Sequence, residues 1–162
     1  MQIKNARLSY PSIFKKAVFQ GEQTKYEATF IIPKDDPQVK AIQDELARVI
    51  AESKLKFGAD KICFKDGDLT DVEAYQGCWT LKAASDNRPI VLDRDKTPLT
   101  AEDQKIYAGC HVNGIFEFWI QNNSYGKRVN ANLYGVQFAK DGDALSAGGP
   151  VDVTDDFADL DI

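Results

Sequence analysis

Apolar residues alternate with polar ones in two stretches near the start of the chain. Ile3 to Tyr10 is the first, and in the second Tyr26, Ala28, Phe30 and Ile32 interleave with Lys25, Glu27, Thr29 and Ile31 before Pro33 closes the run. A period of two places alternate side chains on opposite faces, so both segments are expected as paired strands. At Asp35 the period changes. Asp35 or Asp36 can cap a helix, Pro37 fits its first turn, and Val39, Ile42, Leu46, Val49 and Ile50 form one apolar stripe, predicting a helix that ends near Ser53. Further strands are expected over Tyr75 to Ala84 and Pro89 to Leu92, followed by a helical turn at Thr100-Ala101-Glu102-Asp103. Two long strands, Cys110 to Gln121 and Lys127 to Phe138, flank the turn-rich Asn122-Asn123-Ser124-Tyr125-Gly126 and read as a hairpin.

Five or six strands with one inserted helix make a mostly β fold. A Greek-key β-barrel of the OB-fold type is the expected solution, with a β-sandwich as the alternative. The chain's 162 residues suit one domain with a sizeable core.

Alternation in the final hairpin separates two faces. Val112, Phe116, Phe118 and Ile120 are expected in the core, leaving Asn113, Ile115, Glu117, Trp119 and Gln121 on the other side. In the next strand Val129, Ala131 and Leu133 point one way, and Arg128, Asn130, Asn132 and Tyr134 the other. A strand of DNA without its complement offers phosphates to cations and base faces to aromatic rings. Trp119, Arg128 and Tyr134, with Tyr125 and Lys127 at the hairpin tip, therefore form a candidate DNA-binding surface; the competing reading is a second core beneath the helix. A second basic and aromatic cluster is Lys4, Arg7, Tyr10, Phe14, Lys15 and Lys16, for which the alternative is a solvated strand edge. Trp79 and Leu81 are expected in the core, whereas Lys82 on the opposite face and Arg88 in the following turn would extend a groove.

The net charge of −5 is unevenly distributed. Residues 141–162 hold seven Asp and no Lys or Arg; all 20 basic residues and the other 18 acidic ones lie in 1–140, which carries +2. The division is therefore a folded DNA-binding domain over 1–140 and a flexible, disordered acidic C-terminal tail over 141–162. After Ser146-Ala147-Gly148-Gly149-Pro150, acids alternate with apolar residues, and Asp155, Asp156, Phe157, Asp159, Leu160, Asp161 and Ile162 are the candidate partner-binding residues. A tail serving solubility alone is the competing reading.

Three cysteines at wide spacing, Cys63, Cys78 and Cys110, argue against a disulfide framework and fit a reducing cytoplasm. The start of the chain does not read as a secretory signal, and no apolar run reaches the roughly 20 residues of a membrane span. With His111 the cysteines lack the short spacing of zinc sites. Cys110 and His111, adjacent on a strand, point apart, which disfavours a nucleophile and base pair. The acids Asp66, Asp68, Asp71 and Glu73, or Asp93 and Asp95, lie in turn-like contexts, and no glycine-rich phosphate loop is present. No enzyme, cofactor or metal is expected; a small metal-dependent nuclease and a virion or scaffold protein are the alternatives.

The opening Ile3-Lys4-Asn5-Ala6-Arg7-Leu8-Ser9-Tyr10, the stretch Tyr107-Ala108-Gly109-Cys110-His111-Val112-Asn113, and Val129-Asn130-Ala131-Asn132-Leu133-Tyr134-Gly135-Val136-Gln137-Phe138 with Asp141-Gly142 resemble the phage single-stranded DNA-binding proteins long catalogued as a family of unknown function. The resemblance implies an OB-fold with an acidic C-terminus and a largely sequence-independent role in phage DNA replication, recombination or repair in the cytoplasm of a bacterial host. The expected partners are single-stranded DNA and, from the alternation of acids and apolar residues in the tail, a polymerase, helicase, nuclease or recombinase; no membrane contact is expected, and self-association on the DNA is left open by the sequence.

Overall fold

The computed structural model describes residues 1–145; the tail residues singled out above, Asp155 to Ile162, lie outside them. The elements are β1 (Gln2–Ser12), β2 (Val18–Phe19), β3 (Glu22–Gln23), β4 (Tyr26–Pro33), α1 (Gln38–Ser53), β5 (Phe64–Asp66), β6 (Cys78–Ser85), β7 (Ile90–Leu92), β8 (His111–Asn123) and β9 (Gly126–Lys140). Short 3-10 turns fall at Ala59–Lys61, Gly67–Leu69, Glu73–Tyr75 and Ala101–Asp103.

Five of these strands close on themselves. β1 pairs antiparallel with β4 and β8, β4 with β6, and β8 with β9. A parallel contact between β6 and β9 at Ala84 and Asn132 completes the circle. The spatial order β1-β4-β6-β9-β8, returning to β1, is a closed five-stranded Greek-key barrel of the OB type. β5 and β7 extend its edges, pairing with β6 and β9 respectively.

The alternation read from the sequence shows why the barrel closes. Ile3, Leu8, Phe30, Ile32, Leu81, Val112, Phe116, Val129 and Leu133 point inward and are essentially inaccessible. Burying an aliphatic or Phe side chain contributes about 1.5–3 kcal/mol. Gly114 sits in this inward series because a β-carbon there would lie 2.5 Å from the Phe30 ring. A register shift between Ile115 and Phe116, opposite Gly135 and Leu133, leaves Tyr134 as the extra residue of a β-bulge. It also switches the inward parity of β9, from Val129, Ala131 and Leu133 to Val136 and Phe138.

The helix starts where the sequence places it. The Asp36 carboxylate accepts from the Gln38 N–H at 2.9 Å. Lys54 ends α1 in the left-handed conformation. Val39 and Ile42 bury into the barrel core, with Leu46, Val49 and Ile50 packed at its margin. The strand expected from Tyr75 begins instead at Cys78, because Glu73–Tyr75 forms a 3-10 turn and the Tyr75 hydroxyl hydrogen-bonds the buried Ser9 hydroxyl at 3.0 Å. Trp79 is half-buried and stacks on Phe64, ring centres 4.8 Å apart. Residues 141–145 are tied to the body: the Tyr107 hydroxyl donates to Asp141, the Leu145 N–H to the Ala108 carbonyl, and the Arg7 guanidinium to the carbonyls of Gly109 and Asp143.

Candidate nucleic-acid interface

Outward residues of four barrel strands floor one open groove of about 1230 Å³. β4 contributes Glu27 and Thr29, and β6 contributes Thr80, Lys82 and Ala84. β9 adds Arg128, Asn130, Asn132 and Tyr134, while β8 adds Glu117, Trp119 and Gln121. The β8–β9 register explains this grouping, since Gln121 faces Arg128, Trp119 faces Asn130 and Glu117 faces Asn132. The connection between β1 and β4 forms one rim through Ala17, Val18, Phe19 and Lys25; residues 60–63 and Lys65 form another.

Trp119 and Tyr134 are 41% and 46% exposed, so they are surface aromatics and not the second core that the sequence left open. The Asn130 amide donates to the Gln121 side-chain oxygen at 2.9 Å. The floor thus offers two aromatic faces among neutral amides.

Five cations line the groove, Lys25, Lys61, Lys65, Lys82 and Arg128, together with four acids, Glu27, Asp60, Asp86 and Glu117. Three cations already have carboxylate neighbours: Lys82 with Glu27 at 3.4 Å, Lys61 with Asp60 at 3.9 Å and Lys25 with Asp86 at 4.0 Å. The Lys61 and Lys25 pairs are exposed, each worth at most about 1 kcal/mol, and in the third the Lys82 ammonium is exposed while Glu27 is half-buried, so in each an incoming phosphate can reach the cation. Among the described residues Lys65 and Arg128 have no carboxylate within 4.0 Å. Burial pushes the Cys63 thiol at the groove edge up to about 12, leaving it an un-ionised and inert group at neutral pH.

Of the residues expected from the sequence to touch DNA, Lys82, Trp119, Arg128 and Tyr134 are brought together here. Tyr125 and Lys127 are exposed at the β8–β9 tip, beside Arg128. Phe14, Lys15 and Lys16 lie in the β1–β4 connection that supplies the rim; the Arg88 guanidinium stands 6.0 Å from the Phe14 ring and the Lys16 ammonium 6.0 Å from the Tyr26 ring. Lys4, Arg7 and Tyr10 do not line the groove. Lys4 exchanges two 2.7 Å backbone hydrogen bonds with the Gln38 side chain at the start of α1, and Arg7 holds residues 109 and 143. Sequence reasoning missed Lys25, Lys61, Lys65, Val18 and Phe19. The Gln20-Gly21 turn after two apolar residues was the one signal for the rim.

Among the described residues no three His, Cys, Asp or Glu side chains gather as a metal site requires, and no helix is long and apolar enough to cross a membrane.

The whole chain, residues 1–162, matches the family described as the single-stranded DNA-binding protein of Enterobacter phage Enc34. Protein p50 of Acyrthosiphon pisum secondary endosymbiont phage 1 is 37% identical, the match covering 99% of this chain and 93% of that protein. The Enc34 single-stranded DNA-binding protein, solved in complex with single-stranded DNA, superposes with a TM-score of 0.82 at 32% identity, covering 90% of this chain and 88% of the other. The single-stranded DNA-binding protein gp2.5 of bacteriophage T7 shares the fold, with a TM-score of 0.62 at 16% identity over 94% of this chain and 96% of the other.

Proposed function

This chain belongs to the Enc34 single-stranded DNA-binding protein family, and we propose that it binds single-stranded DNA in the barrel groove, largely without regard to sequence, during phage replication, recombination or repair in the cytoplasm of the bacterial host. The observation that carries this reading is the convergence of Trp119, Tyr134, Lys82 and Arg128 on one floor with neutral amides between them. Aromatic faces stack on any base and cations follow any phosphate, whereas a sequence reader would need fixed bidentate contacts to base edges. Lys65, Lys61 and Lys25 extend the cationic track, and Tyr125 and Lys127 lengthen it toward the hairpin tip. Lys15, Lys16, Phe14 and Arg88 would meet the strand near the β1–β4 rim. Lys4, Arg7 and Tyr10 have structural or peripheral places and contribute little.

Residues 1–140 act as the DNA-binding body and 141–162 as the acidic segment. Five Asp of that segment, Asp152, Asp155, Asp156, Asp159 and Asp161, share a chain with the groove cations and compete with phosphate for them, whereas Asp141 is bonded to the Tyr107 hydroxyl and the Asp143 carbonyl to Arg7. Phe157, Leu160 and Ile162 are the apolar anchors for a polymerase, helicase, nuclease or recombinase, steered by Asp155, Asp156, Asp159 and Asp161.

The test is a gel shift of oligo(dT) in EDTA at low and moderate salt. Binding without metal and without strand cleavage supports the reading. Cleavage that needs Mg²⁺ favours a nuclease, and absence of binding removes the proposal.

A further inference from the structure

The two edges of β8 are unequally covered. β9 pairs along the whole strand, whereas β1 reaches only to Phe116, whose N–H donates to the Met1 carbonyl at 3.0 Å. Backbone groups of an antiparallel strand point alternately to its two neighbours, so Phe118, Ile120 and Asn122 aim their N–H and C=O groups the same way as Phe116. Among the described residues no strand pairs with these three on that side, and no backbone hydrogen bond reaches them there. Phe118 to Asn123 holds neither a charge nor a proline, residues that commonly keep a free edge from pairing. The edge opens on a cleft of about 530 Å³ facing the last two turns of α1, lined there by Arg48, Val49 and Glu52.

Charge selects what covers it. Glu52 and Glu117 border the cleft, and Arg48 is already held by Glu45 and Glu52 at 2.5 and 2.8 Å. Phosphates and the Asp-rich residues 151–162 are therefore repelled. A second copy of the same strand meets no like charge. Laid antiparallel about Ile120, Phe118 faces Asn122 of the second copy, Trp119 faces its Gln121 and Glu117 its Asn123, and all three free residues exchange both their bonds. We propose that β8 pairs edge to edge with β8 of a second copy through Phe118, Ile120 and Asn122, forming a twofold dimer. Trp119 stands at this edge and also floors the groove. On the reading of that groove as a single-stranded DNA site, the dimer sets two grooves side by side in opposite directions, and a strand that folds back occupies both.

The pair forms without DNA. Sedimentation of the full chain shows the mass rising from one chain toward two with concentration. The amides of Phe118, Ile120 and Asn122 exchange more slowly at high concentration, while those of Trp119 and Gln121, which face β9, do not change. Asn122→Pro removes an N–H that no strand of its own copy uses. It raises the concentration needed for pairing at least about tenfold, the effect of leaving a buried carbonyl without its donor. An oligo(dT) of about 10 nucleotides, within one groove, binds both proteins alike, and one of about 40, enough for two grooves and the return between them, binds the parent more tightly. A mass of one chain at every concentration, with exchange of the three amides indifferent to concentration, overturns the pairing whether or not Asn122→Pro folds. Asn122→Pro pairing like the parent places the contact elsewhere and overturns it too. Pairing with equal affinity of both proteins for the long oligonucleotide overturns the joined grooves. If the short oligonucleotide does not bind the parent, the groove reading fails, while mass and exchange still decide the pairing.

Discussion

The phenol of Tyr134 donates a 2.9 Å hydrogen bond to the carboxylate of Glu117, across the β8–β9 pair. Tyr134 is the extra residue of the β9 bulge, so no backbone partner fixes its position directly opposite. Glu117 supplies that constraint and holds the ring at the groove floor, but it also places a negative charge where a phosphate must pass.

These two effects can be separated. Tyr134→Ala should weaken oligo(dT) binding by about 1–3 kcal/mol through loss of a stacking face. Tyr134→Phe keeps the face and should bind within about threefold of the parent. Glu117→Gln retains an acceptor for the phenol while removing the charge, and should bind more tightly at low salt. Fluorescence anisotropy with thermal melting of each variant checks this: unchanged affinity in a folded Tyr134→Ala protein would remove Tyr134 from the site.

Gly114 gives a control in the opposite sense. A β-carbon at that position meets the Phe30 ring at 2.5 Å inside the barrel. Gly114→Ala should therefore destabilise by about 1–3 kcal/mol, the usual range for overpacking. Oligo(dT) affinity, measured below the melting transition, should stay the same. Chemical denaturation beside a binding titration tests both halves.

How much of this was legible beforehand depends on segment length. The long hairpin declares itself through strands of thirteen and fifteen residues, whose alternation on either side of the Tyr134 bulge is enough to sort Phe116 and Phe118 inward and Trp119 outward before any fold is known. The α1 stripe is equally plain, and of the two candidate caps, Asp35 and Asp36, it is the Asp36 carboxylate that accepts from the Gln38 N–H. β2 has two residues and β5 three, too few for a period to register, so the contributions of Val18, Phe19 and Lys65 to the groove stayed hidden. Lys4, Arg7 and Tyr10 look like one cluster in the sequence, yet register shifts in β1 at Ile3/Ala6 and Ser9/Ser12 break the simple alternation. Arg7 turns to the backbone of residues 109 and 143 instead. Lys25, Lys61 and Lys65 reach the groove by tertiary closure of the barrel, which no local pattern encodes.

Acid should loosen one specific corner of the fold. Lys34 Nζ lies 2.7 Å from Asp66 and 2.5 Å from Asp68. The Lys34 hydrogen bond holds the Asp66 carboxyl below its ordinary value; for Asp68 the Gly77 N–H does so first and Lys34 second. The same contacts raise Lys34. A carboxyl depressed in the folded state adds stability above its unfolded value of about 3.9 and loses it as pH falls through the folded value; the raised lysine contributes below its unfolded value and loses that at strongly alkaline pH. The double change Asp66→Asn with Asp68→Asn should lower the melting temperature at pH 7, and the gap to the parent should close below about pH 4. A gap that does not narrow at all as pH falls below about 4, through the depressed folded values, would mean that charge is not what these residues contribute.

Deleting Val151 to Ile162 removes five of the seven acids in the C-terminal segment. Oligo(dT) affinity should rise at low salt, and the difference should shrink as salt screens both competitors. Phe157→Ala should leave DNA affinity unchanged and weaken capture of a replication or recombination partner. If the deletion alters neither DNA affinity nor partner capture, the segment serves solubility alone.

The most direct test of the central claim is the salt dependence of oligo(dT) binding by the parent and by Arg128→Ala, which removes a groove cation that has no carboxylate neighbour within 4.0 Å among the described residues. For single strands log K falls with log salt by about 0.7 per phosphate neutralised. The parent should give a straight line, Arg128→Ala a line shallower by about 0.7, and oligo(dT) and oligo(dC) should bind the parent within a few-fold of each other. An affinity indifferent to salt, a slope unchanged by Arg128→Ala, or a demand for one short sequence would contradict a groove that binds single strands through phosphates and stacked bases.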